Sequence, residues 1–376
     1  MAQDLPETAQ VSVDRAPRRR GIQPAQSASE LFAALDLGTN SCRMLIATPD
    51  GGHFRVVDAF ARCVRLGTGL ERTGHLSRSG IGRTLSALGV CADKLRRHDV
   101  RNIRLVATEA CRRARNGSQF LSLVARETGL RFEIITPQEE ARLAVISCAP
   151  LVAPEAEQVL VFDIGGGSTE LVWIDLSEVA AEDRPRAILG LRMDGREGVT
   201  GTCAGARIVD FVSVPLGVAT LHERYADVCD DSARFALMAW YFEEQIMGFK
   251  PYLEDVAGQA RPGFQMIGTS GTVTTVGAAH LGLKRYDRRK VDGMTLSARA
   301  IDEVIARFLR LGPDGRRHDV GLGRDRSELI MSGAAILQTL LRLWPTDTMR
   351  VADRGLREGM LFAMMNDHGV FTDTVA

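Results

Sequence analysis

Asp36-Leu37-Gly38-Thr39-Asn40-Ser41 and Asp163-Ile164-Gly165-Gly166-Gly167-Ser168-Thr169 carry one pattern twice. Each follows an apolar run, LFAAL at 31–35 and VLVF at 159–162, and each leads into another. A short apolar run ending in Asp-x-Gly reads as a buried strand entering a tight turn, with the next run as its returning partner. Glycine in such a hairpin lets backbone N–H groups approach an anion, because no Cβ intervenes. Successive N–H groups form an anion-binding nest, to which Thr39, Asn40, Ser41, Ser168 and Thr169 add side-chain donors. One Asp-x-Gly turn alone is an ordinary β-turn. Two of them, one enlarged to Gly-Gly-Gly-Ser-Thr, favour phosphate binding in a cleft between two related halves. Asp36 and Asp163 precede the turns, and Glu170 returns opposite Asp163. Such carboxylates suit a divalent cation, with phosphate oxygens completing its shell.

Working outward, strands are expected at Leu31–Asp36, Cys42–Thr48, His53–Phe60, Asn102–Thr108, Arg131–Ile135, Val159–Asp163, Thr169–Asp175, Ile208–Val214, Gln265–Gly268 and Met349–Ala352. Helical spacing covers Ser77–Arg97, Glu109–Arg115, Ser118–Thr128, Leu216–Tyr225, Ser232–Met247, Gly271–Leu281, Ser297–Leu311, Ser327–Leu343 and Leu356–Met365. A further helix runs from Pro137 to Cys148, and proline suits its first turn. The charged, glycine-rich stretch Ala180–Gly205 reads as a long surface loop or hairpin insertion. Residues 1–30, with Arg18-Arg19-Arg20 and no apolar stretch after them, read as a disordered tail rather than a secretory signal.

The 376 residues suffice for two domains, each with its own core. Basic and acidic residues number 47 each, so overall charge points to neither nucleic acid nor membrane as partner. No apolar run reaches bilayer length. The seven cysteines are scattered, with no CxxC pair and no zinc spacing, as expected of reduced thiols in the cytoplasm. There is no GxxxxGK[ST], hence no P-loop, and no GxGxxG after a strand.

Eight ordered blocks add a resemblance: DLGTNSCRMLI (36–46), ATEACRRARN (107–116), EIITPQEEARL (133–143), FDIGGGSTEL (162–171), VPLGVATLHERY (214–225), IGTSGTVTTV (267–276), DRSELIMSGAAIL (325–337) and VADRGLREGML (351–361). Together they resemble the exopolyphosphatase / guanosine pentaphosphatase (Ppx/GppA) family, within the actin, sugar kinase and heat-shock chaperone ATPase superfamily. The resemblance implies an α/β fold of two actin-like (ribonuclease H-like) domains, with mixed sheets flanked by helices and the active site in the cleft between them. The expected boundaries are 31–152 and 153–376, with the last helix able to pack back on the first domain.

The resemblance also implies hydrolysis of terminal phosphates from inorganic polyphosphate or from guanosine pentaphosphate (pppGpp), with Mg²⁺ and with homodimers among the family's members. Glu140, second glutamate of the EEAR segment, would activate water. The helix dipole at its position favours its ionised form, while its surroundings push the other way. Arg112 would contact phosphate, a task that suits a permanent, forked cation. Arg43 and Arg326 are comparable candidates, and Gly268, Ser270 and Gly271 belong to a loop expected to close around phosphate. Asp163, Glu170 and Asp36 would serve the metal. Longer members carry a C-terminal helical domain with an HD metal site; the chain ends soon after Leu361, which favours short polyphosphate or pppGpp as substrate. His98-Asp99 and His318-Asp319 are isolated, and read as helix ends or loops. Competing readings are a phosphotransferase of the same superfamily, a non-catalytic sensor of ppGpp or polyphosphate, and an actin-like or chaperone-like ATPase.

Overall fold

The computed structural model describes residues 30–51, 53–191, 202–203, 205–251, 262–322 and 324–370. The N-terminal tail and residues 192–201 of the expected insertion lie outside them. Two mixed sheets form the frame. The first contains β1 (Phe32–Leu37), β2 (Ser41–Asp50), β3 (His53–Cys63), β4 (Asn102–Ala107) and β5 (Glu133–Ile134), in the order β3-β2-β1-β4-β5. The second contains β6 (Gln158–Ile164), β7 (Thr169–Asp175), β8 (Thr202–Cys203), β9 (Ala206–Val214), β10 (Phe264–Thr269), β11 (Thr295–Ser297) and β12 (Thr348–Ala352), in the order β11-β12-β10-β6-β7-β9-β8.

The duplication seen in the two turns extends to topology. In each sheet a three-stranded antiparallel meander (β1-β2-β3, β6-β7-β9) is continued by parallel strands on the far side of its first strand (β4 then β5, β10 then β12). Strands buried on both faces read as continuous apolar runs, and β1 and β6 follow this rule: Asp36 and Asp163 are their only charged residues.

Helices cover the sheets. Arg78–Arg97 (α1) and Gly117–Thr128 (α2) pack on the first, burying Leu88, Leu95, Phe120 and Val124. Ser77 Oγ caps α1 by accepting the Gly80 N–H at 3.2 Å. Pro137–Cys148 (α3) is capped by Thr136, whose Oγ1 accepts the Glu139 N–H at 3.2 Å. On the second sheet, Val218–Arg224 (α4), Asp231–Ile246 (α5), Gly271–His280 (α6), Ala298–His318 (α7) and Ile330–Leu343 (α8) surround a core with Trp173, Trp344, Phe242 and Phe308. The final helix, Leu356–Asp367 (α9), packs its Met360, Leu361 and Met365 against Phe32, Ala34 and Ala47 of the first sheet. It crosses α3 backbone to backbone: a Cβ on Gly359 would lie 2.0 Å from the Leu143 carbonyl oxygen. Only glycine fits there, and the crossing fixes the helix that carries Glu140.

Three expectations need correction. The start of the 180–205 stretch is not loop: Ala181–Asp183 forms a 3-10 turn and Arg184–Leu189 a helix, whose Ala187 and Ile188 are buried. Pro185 sits where a first helical turn accepts it. The helix begun at 298 does not end at Leu311. Gly312 breaks it with φ of 62°, and it resumes through Pro313 to His318. The strand at 131–135 is only Glu133–Ile134. His98 and Asp319 stand at helix C-termini, as read from the sequence. Cys42, Cys63, Cys91, Cys111, Cys148 and Cys229 are free thiols. Among the described residues no helix is long and apolar enough to cross a membrane.

Candidate active site

The two glycine turns close in the same way. Gly38 N–H donates to the Ser41 carbonyl at 3.0 Å, and Gly165 N–H to the Ser168 carbonyl at 2.9 Å. Registers match as well: Asp36 faces Arg43 across the first hairpin, and Asp163 faces Glu170 across the second. The turns also meet. A Cβ on Gly166 would stand 3.1 Å from the Asn40 Cβ, and one on Gly167 only 2.3 Å from Thr39 Oγ1. Behind the second turn, a Cβ on Gly217 would lie 2.4 Å from the Gly165 carbonyl oxygen. From there Val218 and Ala219 donate their N–H groups to the Gly165 and Gly166 carbonyls at 2.9 and 2.8 Å. Carbonyls turned back to α4 leave the turn's N–H side for a ligand.

One cavity of about 430 Å³ opens on this contact. Asp36, Gly38, Thr39, Asn40, Ser41, Arg43, Glu140, Asp163, Gly165, Gly166, Gly167, Ser168, Ser270, Gly271 and Arg326 all line it. These sequence-predicted residues come from both sheets and from three helix starts. α6 and α9 begin at its wall, and a helix N-terminus attracts anions through its free N–H groups and dipole. Thr39 Oγ1 and Ser270 Oγ are buried oxygens without a hydrogen-bond partner among the described residues. A buried orphan hydroxyl is costly, and Ser270 adds backbone strain, with φ of 96° at a non-glycine residue. Both features fit a ligand that completes the site.

Four predicted residues do not line the cavity. Thr169 Oγ1 donates to the Leu216 carbonyl at 2.7 Å, so it ties β7 to the start of α4 and is not a donor to ligand. Gly268 is a packing glycine: a Cβ there would lie 2.4 Å from the Phe162 ring. Glu170 is buried behind the second turn, accepting from Ser213 Oγ at 2.8 Å. Arg112 spends its fork on the protein. It binds Glu109 Oε2 at 2.6 Å, the Ile135 carbonyl at 2.7 Å and Glu140 Oε2 at 3.3 Å. Its place in the structure is that of a clamp on Glu140. Sequence reasoning missed Glu109, Arg62, Tyr286, Asp353, Arg354 and Arg357, which line the cavity too. Arg354 and Arg357 lie in the quoted block at 351–361, where flanking glycine and a helix start were the available signal.

The carboxylates are poorly compensated. Among the described residues no hydrogen bond or ion pair reaches the Asp36 or Asp163 side chain. Burial pushes both up to about 6, with Arg43 pulling each back. Burial, then Asp163, pushes Glu170 up to about 8 against the pull of Ser168 and Ser213. Glu140 is raised well above the ordinary carboxylate range by burial and by Glu170, Asp36 and Asp163, with Arg112 opposing. A helix terminus contributes about 0.3–1 kcal/mol. A like charge 4 Å away costs about 4 kcal/mol at an effective dielectric of 20. The dipole therefore loses to burial and to the neighbouring acids, and Glu140 is held toward its protonated form.

Buried acids beside a nest of N–H groups are residues that could hold a cation and a phosphate together. The chain belongs to the Ppx/GppA phosphatase family, whose model matches residues 45–368. Its fold is that of a crystal structure of the Aquifex aeolicus family member, at 27% identity and a TM-score of 0.68, covering 90% of this chain and 98% of that one. An exopolyphosphatase-like protein is similar at 26% identity, with a TM-score of 0.72 over 90% and 99% of the two chains. An exopolyphosphatase from Cytophaga hutchinsonii, at 22% identity, shares the fold with a TM-score of 0.73 over 90% and 98%.

Proposed function

We propose that this protein is a Mg²⁺-dependent phosphohydrolase that removes the terminal phosphate of inorganic polyphosphate or the 5′-terminal phosphate of pppGpp. One observation carries the reading: both glycine turns, the unpaired Asp36 and Asp163, and Glu140 open onto one cavity. The turns at 38–41 and 165–168 hold successive phosphates through backbone N–H groups, joined by Thr39 Oγ1 and Ser270 Oγ. Arg43 and Arg357 face the same space, where both act on Asp36, and they balance phosphate charge.

The residues fit Mg²⁺ by their donor set. Mg²⁺ is usually held by one or two carboxylates plus substrate phosphates and water. That agrees with Asp36 and Asp163 as ligands, both of which line the cavity, with Glu170 behind them. Bound there, the cation supplies charge neutralisation on the phosphates and lowers the proton affinity of the acids around it. Glu140, held by Arg112, then accepts a proton from water aligned with the terminal phosphorus. Positioning and electrostatics provide most of the rate, as in other phosphoryl transfers.

The test is phosphate release from short polyphosphate, long polyphosphate, pppGpp and ATP, with and without Mg²⁺. Release from polyphosphate or pppGpp, faster than from ATP and lost on chelation, is the expected result. Tight binding without release would instead make the protein a sensor, and release only with an added acceptor would make it a phosphotransferase.

A pH experiment bears on the metal. A carboxylate whose folded pKa is raised stabilises the fold while protonated, and this contribution is lost as pH rises through the folded value. With Asp36 and Asp163 near 6 and Glu170 near 8, chelated protein should melt several degrees lower at about pH 8.5 than at about pH 5.5. Acids with lowered values, such as Asp58, Glu71 and Glu139, lose their stabilisation only at lower pH and do not enter this window. His222, whose pKa is lowered from 6.5, works in the opposite direction at the acid end of the window and offsets part of the slope there. Excess Mg²⁺ should flatten the difference in thermal scans; an unchanged slope would remove the metal from these carboxylates.

A further inference from the structure

The cavity has a second wall that phosphate chemistry leaves unused. Tyr286 lines it with 37% of its surface exposed. The Arg326 guanidinium carbon stands 5.4 Å from the centre of its ring, and Arg326 Nη1 donates to Thr275 Oγ1 at 3.1 Å. The phenol donates to Asp353 Oδ2 at 2.6 Å. Asp353 is itself braced by Arg288, whose Nη2 donates to the Asp353 carbonyl at 2.6 Å and to Glu358 Oε1 at 3.0 Å. The ring is thus fixed at its hydroxyl end and carries a cation against one face.

This wall is continuous with the phosphate end. α6 starts at Gly271, where an added Cβ would lie 3.8 Å from an Arg43 nitrogen, and one turn later it presents Thr275 to Arg326. An inorganic phosphate chain gains nothing from an exposed aromatic ring, and the Asp353 carboxylate that holds the phenol is itself paired with Arg288 Nε at 3.6 Å. A flat heterocycle gains by stacking on an aromatic ring and an arginine plane. The cavity volume, about 430 Å³, also falls in the range that encloses a ligand the size of a nucleotide.

We infer that Tyr286, positioned by Asp353 and Arg326, is a nucleobase-stacking platform, so that the substrate of this site is a nucleoside 5′-polyphosphate rather than inorganic polyphosphate. The inference rests on the phosphohydrolase reading and narrows its substrate class. Affinity, not turnover, provides the test: calorimetric binding of ppGpp and of inorganic tripolyphosphate to the wild-type chain, Tyr286→Phe and Tyr286→Ala. Loss of stacking should weaken ppGpp about tenfold in Tyr286→Ala and leave tripolyphosphate within about twofold. Tyr286→Phe keeps the ring and should bind ppGpp nearly as the wild type does. Unchanged tripolyphosphate affinity also certifies the fold of each variant. Equal weakening of both ligands, a change in ppGpp affinity below about twofold, or wild-type affinity for ppGpp no higher than for tripolyphosphate would overturn the inference. Failure of the phosphohydrolase reading would appear separately, as absent phosphate release with these affinities intact.

Discussion

Glu140→Gln should lower kcat by about a hundredfold to ten-thousandfold, the span that a positioned general base contributes, and leave KM within a few-fold. The split follows from geometry. Phosphate binding is assigned to the two turns and to Arg43 and Arg357, none of which bonds Glu140. The side chain of Glu140 is 13% exposed and is held by Arg112. Gln keeps the length and an oxygen for Arg112, so the clamp survives while proton acceptance is lost. Wild-type activity should rise with pH as Glu140 deprotonates, because its pKa is held up by burial and by three acids. The variant should lack that limb. A structural role would give a different signature. Removing an acid that its neighbours repel should raise the melting temperature of chelated protein at alkaline pH, where Glu140 would be ionised, so a catalytic loss with a stability gain is the expected pair. Near-native turnover with unchanged Mg²⁺ dependence would end the assignment of Glu140 as base.

The parts of the molecule that could be read from the chain are those where chemistry is local. Asp-x-Gly between apolar runs specifies a hairpin within about ten residues, so both turns, their strands and the pairing of Asp163 with Glu170 were legible. So was α3, because Thr136 and Pro137 mark its start. Thr169 was misread for a local reason: it is the first residue of β7, and strand alternation sends its hydroxyl to Leu216, away from the turn. Arg112 was read as a phosphate ligand because an arginine's target is set by what packs beside it. Here Glu109, one turn earlier, and Glu140, on another helix, take its donors. Tyr286 lies in none of the quoted blocks, and its bond to Asp353, 67 residues away, arises only through tertiary packing. The repeat of the turn 127 residues on supplied their pairing across a cleft, and the resemblance supplied the roles of Glu140 and of the arginines, which no local pattern contains.

That pairing sets the second large effect. Gly167→Ala should cost about a hundredfold in kcat/KM, the scale expected when reacting groups are displaced by about 1 Å. An added Cβ would meet Thr39 Oγ1 at 2.3 Å and Glu109 Cγ at 3.0 Å. Thr39 is buried, and its β-branched side chain has little freedom to turn aside. The relief available is separation of the two turns, which shifts the phosphate nests relative to each other and moves Glu109, the anchor of Arg112, away from its place. Stability should suffer less than catalysis, because the contact lies at the cavity and not in either core. Gly82→Ala is the matched control: Gly82 lies in α1 with nothing within 4 Å of its would-be Cβ, and alanine is the better helix former. That variant should keep full activity and melt at or above the wild-type temperature. If Gly167→Ala turned over substrate as Gly82→Ala does, the two turns would not act on one phosphate chain, and the mechanism drawn from their contact would fall with it.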